Sequence, residues 1–346
     1  MSFRKLPGWE REQHAAAWPA LRRSCEKLGA KELRWTDLCR AATAIENPDD
    51  VTARAFFETY FHPHIVNGEA GRDGLLTGYY EPVLNGSTTK NERFRVPLYR
   101  RPDNLLVVDL TSLYPELKGK PLRGRLVGNR VVPYYSRAEI DQRNPLTGNE
   151  LLWVDDPVEA FLLQVQGSGR VRLSDGGEVA VGYADQNGHP YRSLGGQLIA
   201  MGALTREETT LASIRAWIAA HPEETTRLLN TNPSYIFFSQ RPATAEGPIG
   251  SLGVPLTPER SAAVDAGQIP LGAPLWIDTT LPDGSALQRL VLAQDTGGAI
   301  RGAARADLFV GQGNEAGKLA GEMKQKSQFY VLLPKVIVPV AEISAR

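Results

Sequence analysis

The chain is poor in cysteine, has no excess charge and contains no long apolar run. Its 346 residues include two cysteines, and 39 basic residues balance 39 acidic ones. A nucleic-acid-binding protein usually carries a basic excess, so no nucleic-acid partner is predicted. No stretch reaches the roughly 18 consecutive apolar residues of a membrane-spanning helix. The opening, MSFRKLPGWEREQH, has no apolar signal core; we therefore expect a cytosolic protein or a mature form whose leader has been removed.

The usual signatures of metal and nucleophile chemistry are also missing. The five histidines are scattered, and the one close pair, His62 and His64, has no CxxC or HExxH pattern beside it. We interpret that pair as the end of a helix. No GxSxG nucleophile elbow occurs. QGSGR (166–170) resembles a phosphate loop, but a strand pattern follows it instead of a helix. The sequence therefore predicts no metal and no cofactor.

The two cysteines, Cys25 and Cys39, lie on two predicted helical stretches at residues 11–27 and 35–45, joined near Gly29. A helical hairpin of this kind could bring the sulfurs within bonding range. Two interpretations remain open: two small buried apolar side chains, or a disulfide formed in an oxidising compartment. Titration of the unreduced, denatured protein for free thiols separates them.

The distribution of turn residues and apolar periodicity predicts a mainly β protein with accessory helices. Gly 33 and Pro 24 are high counts, which favours many turns and short strands. Helices are predicted for the first 65 or so residues, including one that starts at Asn47-Pro48-Asp49-Asp50, and again after Thr205 and Pro222. Strands with regular turn signals favour a barrel or a sandwich. They are predicted at 75–83, 125–135, 161–173 and 178–183, and again after NPSYIFF (232–238).

Two aspartates in the C-terminal part are the best candidates for chemistry. Asp295 in QDTGG and Asp307 in RADLF each lie beside apolar strand residues. A buried carboxyl group with few partners has a raised pKa and donates a proton near neutral pH, as glycosidic cleavage requires. The alternative is a pair of aspartates that tie down turns. Asp295-Thr296-Gly297 is also the tripeptide of aspartic proteases, but no second copy is present, so a protease would have to be a homodimer.

Several segments together resemble a known family. GPIGSLGVPLTPERSAAVD (247–265), PLGAPLWIDT (270–279), QDTGGAIRGAARADLF (294–309) and GNEAGKLAGEMK (313–324) look like the 3D domain, named for its aspartates. The upstream segments resemble the membrane-bound lytic murein transglycosylase A family; they are GYYEPV (78–83), PLYRRP (97–102), YYSRAEID (134–141), FLLQVQGSGRVRL (161–173), YRSLG (191–195) and NPSYIFF (232–238).

The resemblance implies two domains with a substrate groove between them. Residues 1–77 and 205–346 would form a double-psi β-barrel domain with N-terminal helices, and residues 78–204 an inserted β-barrel domain. It implies a lytic transglycosylase that cleaves the MurNAc-GlcNAc β-1,4 bond of peptidoglycan and leaves 1,6-anhydro-MurNAc ends. The alternative is a non-catalytic peptidoglycan-binding barrel protein, since double-psi barrels also serve as binding modules.

The same resemblance implies a set of site residues. Asp307 matches the family's catalytic acid, and Asp295 its second groove aspartate. The substrate-binding candidates are Tyr79, Tyr80, Gln164, Gln166, Ser168, Gly169, Asn232, Gly297 and Gly298. Other 3D domains carry a further aspartate after the RADLF-like segment, whereas here the nearest acid is Glu315, so no third catalytic carboxylate is implied.

The expected partners and location also follow from the resemblance. The partner is the peptidoglycan glycan strand, with other cell-wall enzymes as further candidates and a monomer as the expected state. The expected location is the periplasm. Members of the family are lipoproteins, so an outer-membrane lipid anchor belongs to a full-length precursor whose leader and lipid-bearing cysteine this chain lacks.

Overall fold

The computed structural model describes residues 1–68, 71–117, 120, 122–241 and 247–335. The helices are α1 Trp18–Leu28, α2 Leu33–Thr43, α3 Asp50–Tyr60, α4 Arg137–Arg143, α5 Pro157–Gln166, α6 Leu194–Ala200, α7 Leu211–Ala220, α8 Thr225–Asn230 and α9 Gly313–Glu322. The strands are β1 Phe61–Ile65, β2 Gly74–Glu81, β3 Val83–Ser87, β4 Val96–Tyr99, β5 Leu106–Val107, β6 Arg123–Val127, β7 Arg130–Pro133, β8 Glu150–Val154, β9 Ser168–Leu173, β10 Glu178–Gln186, β11 Ile236–Arg241, β12 Ser261–Val264, β13 Pro274–Thr280, β14 Ala286–Asp295, β15 Arg305–Gln312 and β16 Lys324–Pro334. The protein is mainly β with accessory helices, as the sequence predicts.

The chain divides into two compact units, and unit 1 contains a closed barrel. Unit 1 comprises Met1–Tyr80, Glu246–Gly311 and Glu322–Arg346. Its strands follow the order β1-β16-β13-β14-β12-β15-β2, and a further pairing of β16 with β2 closes six of them into a barrel. β12 runs parallel to β14 and antiparallel to β15. Because a closed barrel leaves no unpaired edge within the ring, these strands are held on both sides.

The N-terminal helices of unit 1 pack on the outside of this sheet. Trp9, Trp18 and Phe57 are almost completely buried and join Trp276 and Leu290 of the barrel strands in one apolar cluster. The rings of Trp9 and Trp276 meet edge to face with their centroids 5.2 Å apart, a favoured aromatic geometry. The helices therefore supply the core that covers one face of the barrel.

Helix α3 begins where the sequence predicts it. The Asp49 carboxylate accepts a hydrogen bond from the backbone N–H of Thr52 at 2.7 Å, which satisfies one of the otherwise unpaired amides of the first turn. The helix ends at Tyr60, and the histidine pair follows it on β1. His62 and His64 are thus exposed strand residues just beyond a helix end, with Nδ1 and Nε2 3.3 Å apart.

Unit 2 comprises Glu81–Ala245 and Gln312–Gly321. Six of its strands follow the order β11-β10-β9-β3-β8-β4, and a smaller sheet has the order β5-β6-β7. An isolated bridge between Arg100, just after β4, and Phe238 of β11 links the two ends of the larger sheet. The sheet encloses a core of aliphatic side chains that includes Leu98, Leu163 and Val171.

The predicted strand at 161–173 is half wrong, because its first part is a helix. The Asp156 carboxylate caps α5 by accepting the N–H of Val158 at 2.7 Å, and Pro157 occupies the first helical position. Gly167, at φ 80°, ends the helix in the left-handed region. The apolar run FLLQV fits a buried helix as well as a buried strand, and periodicity alone does not separate the two.

The boundary of the predicted inserted domain also differs from the structure. The sequence prediction ended that domain at residue 204, whereas residues 205–241 belong to unit 2. β11 pairs along its whole length with β10, and α6, α7 and α8 share one apolar cluster with α5. Long-range pairing of this kind leaves no local mark in the sequence.

Some of the predicted turns and helix caps are present in the structure and others are not. Asp175-Gly176 and Asp283-Gly284 form the turns between β9 and β10 and between β13 and β14, as predicted. Asn85-Gly86 lies inside β3 instead of in a turn. Thr205 and Glu208 exchange the hydrogen bonds of a capping box, yet α7 begins only at Leu211, capped by Thr210. None of the helices in the described part of the chain is long and apolar enough to cross a bilayer.

Candidate active site

The two candidate aspartates lie on barrel strands that share one neighbour. Asp295 is the last residue of β14 and Asp307 is the third of β15. In the sheet, Ala263 of β12 is the partner of both residues, Asp295 on one side and Asp307 on the other. Because adjacent strands lie about 4.8 Å apart, the two Cα atoms are about 10 Å from each other. The barrel therefore brings together two acids that the sequence separates.

Asp307 is partly buried and has few hydrogen-bond partners. The Thr77 hydroxyl of β2 donates to its Oδ1 at 2.5 Å. Arg305, two residues earlier on the same strand, lies near enough for its charge to act on the carboxyl group. Residues two apart on a strand point to the same face, so the alternation of β15 places Arg305 and Asp307 together.

Asp295 is held by a denser set of donors. Its Oδ1 accepts hydrogen bonds from the backbone N–H and the hydroxyl of Ser251, both at 2.9 Å, and from the backbone N–H of Thr296 at 2.9 Å. Its Oδ2 accepts one from the Tyr79 hydroxyl at 3.0 Å. Four donors on one carboxylate favour its ionised form. The aspartate of the DTG tripeptide is thus fixed in place by its own barrel domain.

The electrostatics of the two carboxyl groups differ. Burial raises the pKa of Asp307, with the charge of Asp295 adding to the rise and the Thr77 hydrogen bond and Arg305 opposing it. Burial also raises the pKa of Asp295, against the opposition of its four hydrogen bonds. Since like charges at such a site disfavour double ionisation, the pair retains a proton more readily than free aspartates. Asp295 accepts four hydrogen bonds and Asp307 accepts one, so the hydrogen bonds favour the ionised form more strongly at Asp295 than at Asp307.

Alternate residues of strand β2 each donate a hydrogen bond to one of the two aspartates. Thr77 donates to Asp307 and Tyr79 donates to Asp295, and the two donors share a face because they are two apart. The Tyr79 ring packs on Phe309 with centroids 5.4 Å apart. Burial and the charges of the two aspartates raise the pKa of Tyr79 well above its usual value, so its hydroxyl remains a donor. The sequence analysis named Tyr79 and missed Thr77, Arg305 and Ser251. In the strand segments TGY (77–79) and RAD (305–307) the first and third residues share a face, and this alternation was the signal that could have found Thr77 and Arg305.

The other predicted residues of unit 1 have different surroundings. Tyr80 is buried at 4% exposure, so its ring belongs to the packed interior. Gly297 and Gly298 follow Asp295 in the loop after β14. A Cβ on Gly298 would meet no atom within 4 Å, whereas one on Gly297 would come within 2.8 Å of the Ile300 side chain. The Cβ position of Gly298 therefore faces open space, three residues after Asp295 in the chain, whereas a side chain at Gly297 would collide with Ile300.

Two of the predicted residues in unit 2 belong to a buried polar network around Arg137. The Arg137 guanidinium donates to Gln164 Oε1 at 2.5 Å, to the Ser234 carbonyl at 2.8 Å and to the Asn232 carbonyl at 3.2 Å. The Asn232 side-chain oxygen accepts the backbone N–H groups of Arg192 and Ser234. Gln164 and Asn232 are 6% and 2% exposed, so both side chains hold the fold of unit 2 together.

Gln166, Ser168 and Gly169 lie at the junction between α5 and β9. Gln166 and Ser168 are partly exposed on either side of the Gly167 cap, whereas Gly169 is buried. A Cβ on Gly169 would lie 2.3 Å from Leu163 and 2.9 Å from the Pro82 carbonyl, so only glycine fits there. Among the described residues, no cluster of three or more histidine, cysteine or acidic side chains forms a metal site.

Comparison with known proteins identifies the class to which this barrel and its acid pair belong. Residues 75–239 match the family model of the MltA specific insert domain, and residues 260–333 match that of the 3D domain. The match to the insert model ends at residue 239, within β11 and near the end of the first segment of unit 2.

The full-length relatives agree with the family models. MltA from Neisseria gonorrhoeae has a crystal structure that superimposes with a TM-score of 0.84 at 37% identity, over 98% of this chain and 93% of that one. The chain belongs to the MltA family of lytic murein transglycosylases. The Escherichia coli K12 membrane-bound lytic murein transglycosylase A is 34% identical over 74% of this chain. The match spans only 65% of the length of that relative. E. coli MltA with bound chitohexaose superimposes with a TM-score of 0.73 at 27% identity, over 96% and 91% of the two chains.

Proposed function

We propose that this protein is a peptidoglycan lytic transglycosylase with Asp307 as its single acid/base. The observation that carries the proposal is the environment of Asp307: a partly buried carboxyl group with one hydrogen-bond donor and a raised pKa, next to a second carboxylate that disfavours its ionisation. A proton donor at neutral pH needs such surroundings. The family relationship, and the oligosaccharide held by E. coli MltA, support a glycan strand as the substrate.

In the proposed reaction, Asp307 acts twice. The protonated carboxyl group gives its proton to the glycosidic oxygen between MurNAc and GlcNAc, and positive charge develops on the ring carbon as the C–O bond breaks. The resulting carboxylate then takes the proton of the C6 hydroxyl of the same MurNAc. The C6 oxygen bonds to C1 and closes the 1,6-anhydro ring. No water is consumed, and the enzyme returns to its protonated state.

Asp295 has a different role in this proposal. Its four hydrogen-bond donors favour its ionised form against the burial that raises its pKa. In this proposal it supplies a negative charge about 10 Å along the sheet from the Asp307 backbone. That charge raises the pKa of Asp307 and favours the positive charge that develops on the sugar ring. Tyr79 and Ser251 are accordingly proposed to orient Asp295, and the open position at Gly298 leaves room for a sugar beside it.

The substrate-binding assignments in unit 2 remain part of the proposal. Gln166 and Ser168 are partly exposed polar side chains beside the α5 cap, and we propose that they contact the N-acetyl or hydroxyl groups of the glycan. In this proposal Gln164, Gly169 and Asn232 do not contact the glycan; because they are buried, they support the site by stabilising the fold of unit 2. Replacing Gln166 with alanine should raise KM more than it lowers kcat if its contact is with bound sugar.

The test of the function is product analysis on purified peptidoglycan. The wild-type protein should release muropeptides whose mass is lower by one water than that of the hydrolysis products. Asp307→Asn should lower this release by about 100- to 10,000-fold, the usual contribution of general acid/base catalysis. Asp283→Asn, at a surface turn of the same unit, is the matched control and should keep normal turnover.

Three outcomes would contradict the proposal. A folded Asp307→Asn protein with near-normal turnover would remove Asp307 from the chemistry. A wild-type protein that binds sacculi but releases no product would instead favour the non-catalytic binding protein. If Asp295→Asn lost more activity than Asp307→Asn, the two roles would be reversed.

We also propose a periplasmic location and a monomeric state. The relatives are named membrane-bound, and the disulfide between Cys25 and Cys39 is typical of proteins in an oxidising compartment. An outer-membrane lipid anchor in a longer precursor and contacts with other cell-wall enzymes belong to the same proposal. Fractionation of cells that express the full-length gene product, and light scattering of the purified chain, test location and oligomeric state separately.

A further inference from the structure

The Thr77 hydroxyl lies between a cation and the candidate catalytic acid. It accepts a hydrogen bond from Nη2 of Arg305 at 2.7 Å and donates one to Oδ1 of Asp307 at 2.5 Å. The guanidinium itself is held by the carbonyl of Leu75 at 3.4 Å and by that of Ala306. Arg305, Thr77 and Asp307 therefore form a chain of hydrogen bonds across two paired strands, anchored to the backbone at one end.

The hydrogen bonds run in one direction, from the arginine to the carboxyl group. A guanidinium has only donors and stays charged, whereas a hydroxyl has one hydrogen and two acceptor lone pairs. Thr77 accepts from Arg305 with one lone pair and directs its hydrogen at the carboxyl group, so Oδ1 of Asp307 is the acceptor. A proton on Oδ1 would compete with the Thr77 hydrogen for the same short contact.

The second oxygen of Asp307 is in a different position. Within the described parts of the chain, Oδ2 has no hydrogen-bond partner in the protein, whereas all four donors near Asp295 are engaged with that residue. An acid that must hand its proton to a ligand needs that proton on an oxygen the protein does not occupy. The asymmetry of the two Asp307 oxygens meets this requirement.

We propose that Arg305 and Thr77 are positioning residues that keep Oδ1 of Asp307 an acceptor and so place the transferable proton on Oδ2. The inference rests on the proposed function, in which Asp307 donates to the glycosidic oxygen. The hydrogen bonds from Arg305 to Thr77 and from Thr77 to Asp307 also stabilise the Asp307 carboxylate that forms after the proton is donated, since the Thr77 hydrogen bond and the Arg305 charge both lower the pKa of Asp307. Arg305 and Thr77 thus limit the rise that burial causes.

The decisive variants change the hydroxyl and keep the shape. Thr77→Val is isosteric and removes the hydroxyl, and Thr77→Ser retains it. Loss of a hydrogen bond to a charged group should lower kcat by about 10- to 100-fold and leave KM nearly unchanged. It should also move the high-pH limb of kcat upward by about one pH unit, because Asp307 loses a group that lowers its pKa. Thr77→Ser should restore both kcat and the pH profile to near wild type.

A cycle with Arg305→Met tests whether the arginine acts through Thr77. We expect Arg305→Met to lower kcat in the wild-type background and to lower it much less in the Thr77→Val background, since groups that act as a unit are not additive. Equal fold losses in the two backgrounds would overturn the proposed chain. So would a Thr77→Val protein whose loss is the same at every pH, or a Thr77→Ser protein that is no better than Thr77→Val.

A titration separates failure of this inference from failure of the proposed function. The Asp307 carboxyl resonance is followed against pH by NMR in protein carrying ¹³C-labelled aspartate, with Asp307→Asn used for its assignment. The pKa of Asp307 should be higher in Thr77→Val than in wild type whether or not the protein cleaves peptidoglycan. An unchanged pKa in a folded Thr77→Val protein would refute the positioning role, while an inactive wild type with the expected titration would count against the function alone.

Discussion

The disulfide between Cys25 and Cys39 should be a major source of stability for unit 1. It links α1 to α2 across a sequence separation of 14, with Cα atoms 5.2 Å apart. Gly29 lies between the two helices; a Cβ there would come within 2.9 Å of the Cys25 carbonyl and 3.1 Å of Cys39. Closing a loop of about 15 residues removes about 3 kcal/mol of chain entropy from the unfolded state. The replacement Cys25→Ala with Cys39→Ala should therefore lower the free energy of unfolding by about that amount.

Denaturant unfolding measures this directly. With a slope of about 3 kcal/mol per molar urea for a unit of this size, the loss should move the midpoint by about 1 M. Wild type treated with reductant should unfold at the same urea concentration as the double alanine variant, and the variant itself should not respond to reductant. If oxidised and reduced wild type unfolded together, loop closure would contribute nothing and the packing of Trp35 and Leu38 around the cysteines would account for the hairpin alone.

Three further changes test the electrostatics and capping. Burial raises the pKa of Asp307, so the folded state loses stability relative to the unfolded state as pH rises from the unfolded pKa to the folded pKa. Asp307→Asn should therefore raise the free energy of unfolding at pH 7 and not at pH 3, as read from urea midpoints. The gain should be about 1.4 kcal/mol for each pH unit of that interval that lies below pH 7. Burial raises the pKa of Asp185, but the two arginines that pair with its carboxylate outweigh burial, and the pKa is lowered overall. The carboxylate therefore stabilises the fold above the unfolded pKa, and this contribution is lost as pH falls through the folded pKa. Asp185→Asn should lower the free energy of unfolding by about 2 kcal/mol at pH 7 and by little in acid. Asp49→Ala should cost about 1 kcal/mol in thermal unfolding by leaving the N–H of Thr52 unpaired.

The sequence predicted the elements whose signals are local. Short patterns predict the helix start at Asn47-Pro48-Asp49-Asp50, the turns at Asp175 and Asp283, and the mainly β composition. The segment 161–167 was assigned to a strand because a fully buried helix and a buried strand both appear as an unbroken apolar run. The deciding residues, Asp156 before it and Gly167 after it, are cap signals that the apolar run obscured.

The sequence predicts the two aspartates of the candidate site but not the residues that form hydrogen bonds with them. Asp295 and Asp307 were recognised from their flanking apolar and glycine residues and from the family resemblance, which carries no information on hydrogen bonds. Thr77 reaches Asp307 across 230 positions of sequence, and Ser251 reaches Asp295 across 44. The contact of Thr77 with Asp307 depends on barrel closure, which joins β2 to β15 and β16, and closure is a property of the whole domain.

The register of β2 gives two chemically similar acids different hydrogen-bond donors. Thr77 and Tyr79 face the same side of the strand, and each serves one aspartate. A slip of one residue would turn both donors to the opposite face and present Gly78 and Tyr80 to the acids instead. Glycine has no side chain to offer, so Asp307 would lose its link to Arg305 and Asp295 would lose a donor that favours its charge. The pairing of Thr77 with Lys324 of β16 holds that register, which makes the closure of the barrel a condition of the proposed acid/base chemistry as well as of the fold.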